Sequence, residues 1–263
     1  MLNFTDAQLN AWMVGFLWPL SRILGLFTVA PVFGHASLPT RVKIGIGVFV
    51  ALLVAPTLPA PPAVAPGSLA GLLILVQQFL IGVAIGFLMR LVFTGIEAAG
   101  ELMGLQIGLG FASFFDPQSQ GQTLVIGRFL NILGVLVFLA LNAHLLLIAV
   151  LADSFHSLPI SATPLASTGF LQLAQAGGTI FAIALQLALP LIAILLVVNL
   201  ALGILTRSAP QLNIFAIGFP ITLGVGLIAF DLSLGRFAPV FSAAVDAAFA
   251  HITAVLAAFA GAR

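Results

Sequence analysis

An all-α protein that crosses a membrane several times is what this sequence predicts, and three features carry that reading. Of its 263 residues, 62% are hydrophobic and only 6% charged, whereas soluble domains carry about a quarter charged residues. The apolar residues gather in runs of roughly 20, the length a helix needs to cross hydrocarbon at about 1.5 Å per residue. Glycine, proline and short polar turns separate the runs. Together these features predict a polytopic membrane protein of about six long, partly kinked helices. A net charge of +1 provides no basic field for nucleic acid. With no cysteine, disulfides, thiolate zinc sites and cysteine nucleophiles are absent together.

Ala11 to Phe33 is the first spanning run, with Pro19 as an expected kink and Pro31 as an expected end. It is too long for a signal-peptide core and is expected to stay in the chain. Arg22 lies in its middle, where an arginine facing lipid costs at least ~2.5 kcal/mol, so the helix is expected to turn Arg22 inward. After a polar turn from Gly34 to Lys43, the run Ile44 to Ala55 is short for a span and is closed by Pro56, Pro59, Pro61, Pro62 and Pro66. It borrows from its flanks, enters without crossing, or sits in an assembly that is not a simple bilayer bundle. Leu69 to Phe93 is full length, with Gly82 and Gly86 at the spacing that lets helices approach closely. Arg90, Glu97 and Glu101 then fall near one face of a continuing helix, either turned from lipid or solvated at a surface.

Thr123 to Leu151 is again long enough to span and carries Arg128, Asn131, Asn142 and His144. Asp153 to Gly169 mixes turn formers with small polar residues and reads as an exposed connection. Phe170 to Leu205, interrupted by Pro190 and carrying Gln172, Gln175, Gln186 and Asn199, predicts one long bent helix. Across the polar turn Thr206 to Asn213 it forms a hairpin with Ile214 to Phe230, kinked at Pro220. Phe241, Val245, Phe249, Ile252, Leu256 and Phe259 recur at three and four, the pattern of a helix with one packed face over Val240 to Phe259. If six runs cross, Arg41, Lys43, Arg90, Arg128 and Arg207 share one side, which the positive-inside rule makes cytoplasmic. Arg22, Glu97, Glu101, Asn131 and Asn199 are costly against lipid and are expected to be buried polar contacts with partner helices.

One stretch departs from the spanning pattern. From Glu101 to Gly121, Gly104, Gly108 and Gly110 follow Gly100 and weaken helix, Asp116-Pro117 stops it, and Phe111, Phe114 and Phe115 keep the segment apolar. It is either an ordinary interhelical loop or a constriction, since irregular backbone at membrane depth is tolerated where it is buried in protein or lines a water-filled cavity.

Few chemistries fit the rest. The four histidines, His35, His144, His156 and His251, have no partner at metal-ligand spacing, so neither a metal nor a cofactor is expected. Ser113, Ser154 or Ser157 with Asp153 and His156 lacks the strained elbow of a serine hydrolase, so no catalytic residue is named and an enzyme is not expected. No phosphate-cradling loop or dinucleotide fingerprint occurs. A secondary solute transporter would explain Pro190, Pro220 and the glycine stretch as broken helices, but the two halves of the chain do not match.

The turn Arg207-Ser-Ala-Pro210-Gln-Leu-Asn213-Ile-Phe-Ala-Ile-Gly218-Phe-Pro220-Ile resembles the signature of the FliR family, which groups flagellar members with the SctT components of virulence injectisomes. The resemblance extends to Arg22, Pro31 and Pro39, and to Gln106, Gly108, Phe111, Asp116 and Pro117. It implies a subunit of the type III export gate in the bacterial inner membrane, at the flagellar basal body, through which unfolded flagellar proteins leave the cytoplasm. An injectisome subunit of the same family is the alternative. The resemblance also implies a FliP-like helical half over residues 1–169, including a plug loop at about 106–121, and a FliQ-like hairpin with a C-terminal helix over 170–263. FliP-like and FliQ-like subunits, FlhB-like and FlhA-like components and membrane lipid are the implied partners. Gln106, Gly108, Gly110, Phe111, Phe114, Phe115, Asp116 and Pro117 become the channel plug, with the glycines as hinge. Arg207, Pro210, Gln211 and Asn213 become a cytoplasmic entrance turn.

Overall fold

The computed structural model describes residues 6–59, 62, 64–109, 125–209, 211 and 214–261. Among them the regular structure is entirely helical: α1 (Asp6–Val29), α2 (Thr40–Val54), α3 (Leu69–Ile107), α4 (Val125–Ala140), α5 (Ala143–Ser157), α6 (Ser167–Gln175), α7 (Thr179–Ser208), α8 (Ile214–Leu234) and α9 (Phe237–Ala260). By length and composition five helical spans can cross a membrane, or six if α4 and α5 count as one.

Several boundaries differ from those the sequence predicts. The second run draws on both flanks: α2 starts at Thr40, so Arg41 and Lys43 lie in its first turn, and a 3-10 turn at Ala55–Thr57 extends it to an 18-residue span. The helix α3 runs unbroken through Gly100 and Gly104, because the missing side chain at Gly100 admits another helix and packing offsets the weak propensity. The run Thr123 to Leu151 is broken after Ala140, where Asn142 takes a left-handed φ of 53°. The expected exposed connection at Asp153 begins as helix, since Leu147, Leu151, Ser154 and Phe155 keep one buried face going to the end of α5. The expected long bent helix runs from Ser167 to Ser208 with a 3-10 turn at Ala176–Gly178 and Pro190 inside α7.

The chain divides into two compact units. The first comprises residues 1–91, 142–177 and 245–263. There α1 and α3 lie parallel in backbone contact: a Cβ on Gly82 would run into the Arg22 carbonyl, one on Gly25 into the Phe79 carbonyl, and one on Gly86 would stand 2.9 Å from the Leu26 carbonyl oxygen. Matched pairs at Gly82 and Gly86 are the small-residue spacing put to use. Trp18, Ile23, Leu26, Phe27, Ile74, Ile81 and Met89 are buried in the core of this unit. The end of α9 closes on the start of α6, where Thr168 Oγ1 donates to the Ala258 carbonyl at 3.0 Å and Phe170 meets the Phe259 ring edge-on.

The second unit comprises residues 92–141 and 178–244. Gly100 and Gly127 bring α3 and α4 into backbone contact, and Gly134 packs on Phe93, Ile96 and Phe241. Contacts that climb α4 descend α3, so the two are antiparallel. Phe93 meets both Phe138 and Phe241 edge-on, at 5.5 and 5.6 Å between ring centres. The helices α7 and α8 pair as a hairpin.

Candidate functional site

Two places concentrate what an apolar bundle does not need. In the first unit Arg22 is 0% exposed, since the tight approach at Gly82 carries that turn of α1 into the core. Its Nε donates to Gln78 Oε1 at 2.8 Å, one terminal nitrogen to Ser154 Oγ at 2.9 Å, and the other to Gln78 Oε1 and the Leu158 carbonyl, the latter at 2.9 Å. Ser154 Oγ in turn donates a hydrogen bond to the Leu151 carbonyl at 2.6 Å. The Phe155 ring covers the guanidinium at 4.1 Å. Arg22 thus points inward and meets α3, α5 and the following connection within its own chain. Among the described residues no carboxylate is a partner, so there the cluster buries a positive charge satisfied by neutral acceptors. Beside it, the buried Trp18 indole N–H has no partner among the described residues.

In the second unit the notable place is the end of α3. Ile107 is fully buried, and a Cβ on Gly226 of α8 would come within 2.6 Å of its Cγ1. Gly108 follows at φ +96°, a conformation that side chains rarely adopt, and a Cβ there would stand 3.4 Å from the Phe219 ring of α8. Gln106 is exposed. The helix α4 resumes at Val125, two residues before Gly127, which lies against Gly100 and the Glu97 carbonyl. So the chain leaves α3 and returns along the same α3, anchored by glycine contacts on both sides. Gly110, Phe111, Phe114, Phe115, Asp116 and Pro117 lie outside the described residues.

Of the expected entrance turn, Arg207 is exposed in the last turn of α7, where a cation complements the helix dipole. Gln211 is exposed, whereas Pro210 and Asn213 lie outside the described residues. Glu97, Glu101 and Asn131 are half-buried and Asn199 is exposed on α7. Among the described residues no three His, Asp or Glu side chains gather as a metal-binding set.

Sequence reasoning missed Gln78, Ser154 and Phe155. An inward Arg22 demands acceptors, and Gln77-Gln78 is a polar pair inside an otherwise apolar run, so that signal was present for Gln78. Ser154 and Phe155 were hidden by turn-forming neighbours. The grip of Phe219 and Gly226 on the end of α3 joins residues more than a hundred apart in sequence and has no local signal.

Comparison with known proteins agrees with this architecture. Residues 13–248 match the family described as bacterial export proteins, family 1. The chain is 52% identical over 241 residues to the flagellar biosynthetic protein FliR of Pectobacterium carotovorum subsp. carotovorum, covering 91% of each. It is 47% identical over 239 residues to that of Escherichia coli strain K12, again covering 91% of each. With that of Bacillus subtilis strain 168 it shares 32% over 216 residues, covering 81% of this chain and 83% of the relative. A match over most of the length, reaching from α1 into α9 and including both the Arg22 cluster and the end of α3, means that the chain belongs to the bacterial export proteins, family 1, with the flagellar biosynthetic proteins FliR.

Proposed function

We propose that this chain is a structural, pore-forming subunit of the flagellar type III protein export gate in the bacterial inner membrane. In this reading residues 1–169 form a FliP-like half and 170–263 a FliQ-like hairpin with a C-terminal helix. It assembles with FliP-like and FliQ-like subunits and works beside FlhB-like and FlhA-like components, passing unfolded flagellar proteins. Its contribution is a shaped opening and a seal rather than a bond-breaking step.

One observation carries the seal: the segment between Gly108 and Val125 is held at both ends, by Phe219 and Gly226 of α8 at one and by Gly100 against Gly127 at the other. Between those anchors the sequence carries Phe111, Phe114 and Phe115, and aromatic bulk in a narrow pore blocks ions because an apolar constriction resists wetting. The relatives named above are flagellar, which supports the flagellar reading over the injectisome one.

The test is ion conductance across membranes that contain the assembled complex. Phe111→Ala, Phe114→Ala and Phe115→Ala combined should leave the complex assembled and raise resting conductance above wild type. If the triple variant assembles normally and conducts no more than wild type, the three rings are packing residues and the seal lies elsewhere.

A further inference from the structure

In the first unit a cavity of about 360 Å³ opens between α3, the connection after α5 and the end of α9. That volume suits a small ligand or a headgroup. Its polar wall is Gln77, Gln78, Ser157, Ser161 and Thr163, and among the described residues neither a carboxylate nor a lysine lines it. Gln78, only 1% exposed, commits its Oε1 to Arg22. Its Nε2 is the polar atom not committed to Arg22, and Gln78 lines the cavity. An amide whose oxygen is held by a cation is a better N–H donor, because the hydrogen bonds polarise one another. Ser161 and Thr163 bond each other at 2.6 Å, an arrangement that uses one of their two protons. Ser157 Oγ donates to the Ser154 carbonyl at 3.5 Å, so the donors left to the lining are the Gln77 and Gln78 amides and one hydroxyl, and one hydrogen bond behind it lies a buried positive charge with no carboxylate partner among the described residues. Such a place favours an anionic acceptor.

The surroundings specify the rest of the ligand. Leu73, Val76 and Leu80 are exposed and fall in one stripe of α3 with Gln77, at the spacing of a single helix face. The cavity adds Ile81, Leu165 and Phe259 on its apolar side. A ligand that uses all of this has an anionic, acceptor-rich head and an apolar body.

We infer that this cavity holds the phosphodiester headgroup of an anionic membrane phospholipid, with its acyl chains along Leu73, Val76 and Leu80. The site goes beyond the export reading and does not depend on the seal.

The experiment is native mass spectrometry of the full chain in the complex that co-purifies with it, after delipidation and return to nanodiscs of phosphatidylglycerol or of phosphatidylcholine. We expect one phosphatidylglycerol retained per copy, at least tenfold more than phosphatidylcholine, and a drop of at least tenfold in Gln77→Leu and in Ser161→Ala with Thr163→Val. These variants leave every Arg22 partner in place, so loss of the fold does not mimic loss of the site. Equal retention of the two lipids, or retention unchanged in the variants, would overturn the assignment. So would displacement by inorganic phosphate alone, which would make the cavity a free-anion site, or a photo-crosslinker at Leu165 that captures polypeptide instead of lipid.

Discussion

Replacing Gln78 with leucine removes the acceptor that takes two of Arg22's hydrogen bonds and leaves a buried charge short of partners. Hydrogen bonds to charged groups are worth more than neutral ones, and stranding the charge adds its desolvation cost, so Gln78→Leu should lose about 3 kcal/mol or more. Its neighbour Gln77 is half-buried and makes no contact with Arg22, so Gln77→Leu should stay within about 0.5 kcal/mol of wild type. The thermal unfolding midpoint of the delipidated complex measures both. Equal midpoints for the two variants would mean that Arg22 is satisfied by Ser154 and Leu158 alone. At this scale the sequence was partly legible. An arginine amid apolar residues had to turn inward, but its acceptors lie 56 to 136 positions away, a separation no local pattern records.

Among the elements, α1 and α3 are joined by the lack of side chains. The Cβ of Gly82→Ala would occupy the space of the Arg22 carbonyl, and since backbone cannot swing aside the helices must part. Gly67, in the turn before α3, has open space where its Cβ would stand, so Gly67→Ala meets nothing. The first should lower the yield of assembled complex several-fold and the second should not, as read by co-purification from membranes. A different device breaks α4 from α5. Asn142 is left-handed at φ 53°, which glycine adopts freely and a β-branched residue does not. Asn142→Gly should therefore be near neutral and Asn142→Val should cost about 1–2 kcal/mol, again by thermal unfolding. The sequence showed the glycine pair at Gly82 and Gly86 through its spacing. It did not show the break at Asn142, because the apolar pattern runs straight through it.

At the scale of the molecule, length is the informative quantity. The 39 residues of α3 and the 42 from Ser167 to Ser208 extend about 58 and 63 Å, against a hydrocarbon thickness of about 30 Å. Helices of that length tilt strongly or continue into other protein, and Phe181, Leu196, Val197, Leu200 and Ile204 on α7 are exposed in the single chain. Expressed without its partner subunits the chain should therefore aggregate or be degraded, and a stable monomer in detergent, unchanged by added partners, would contradict an assembled gate. The exposed Arg207 and the other basic residues set the expected orientation. A Ser208→Cys variant in that assembly should label with an impermeant thiol reagent applied from the cytoplasmic face, and labelling from the outer face alone would reverse the topology.

Composition and run length by themselves determined an all-helical membrane protein, the hairpin across Arg207 to Asn213 and the packed face from Phe241 to Phe259, while the motif from Arg207 to Pro220 carried the family resemblance. These are properties a helix carries along its own length: hydrocarbon selects apolar runs, and a 3.6-residue period selects a face. The tertiary structure alone decided which acceptors hold Arg22, that α3 stays helical through Gly100 and Gly104, and that α8 grips the chain at Ile107 and Gly108. Each of those depends on backbones brought within contact by residues far apart in sequence. A glycine reads as a weak point in one strand of text and becomes a contact only when a second helix arrives to use the space.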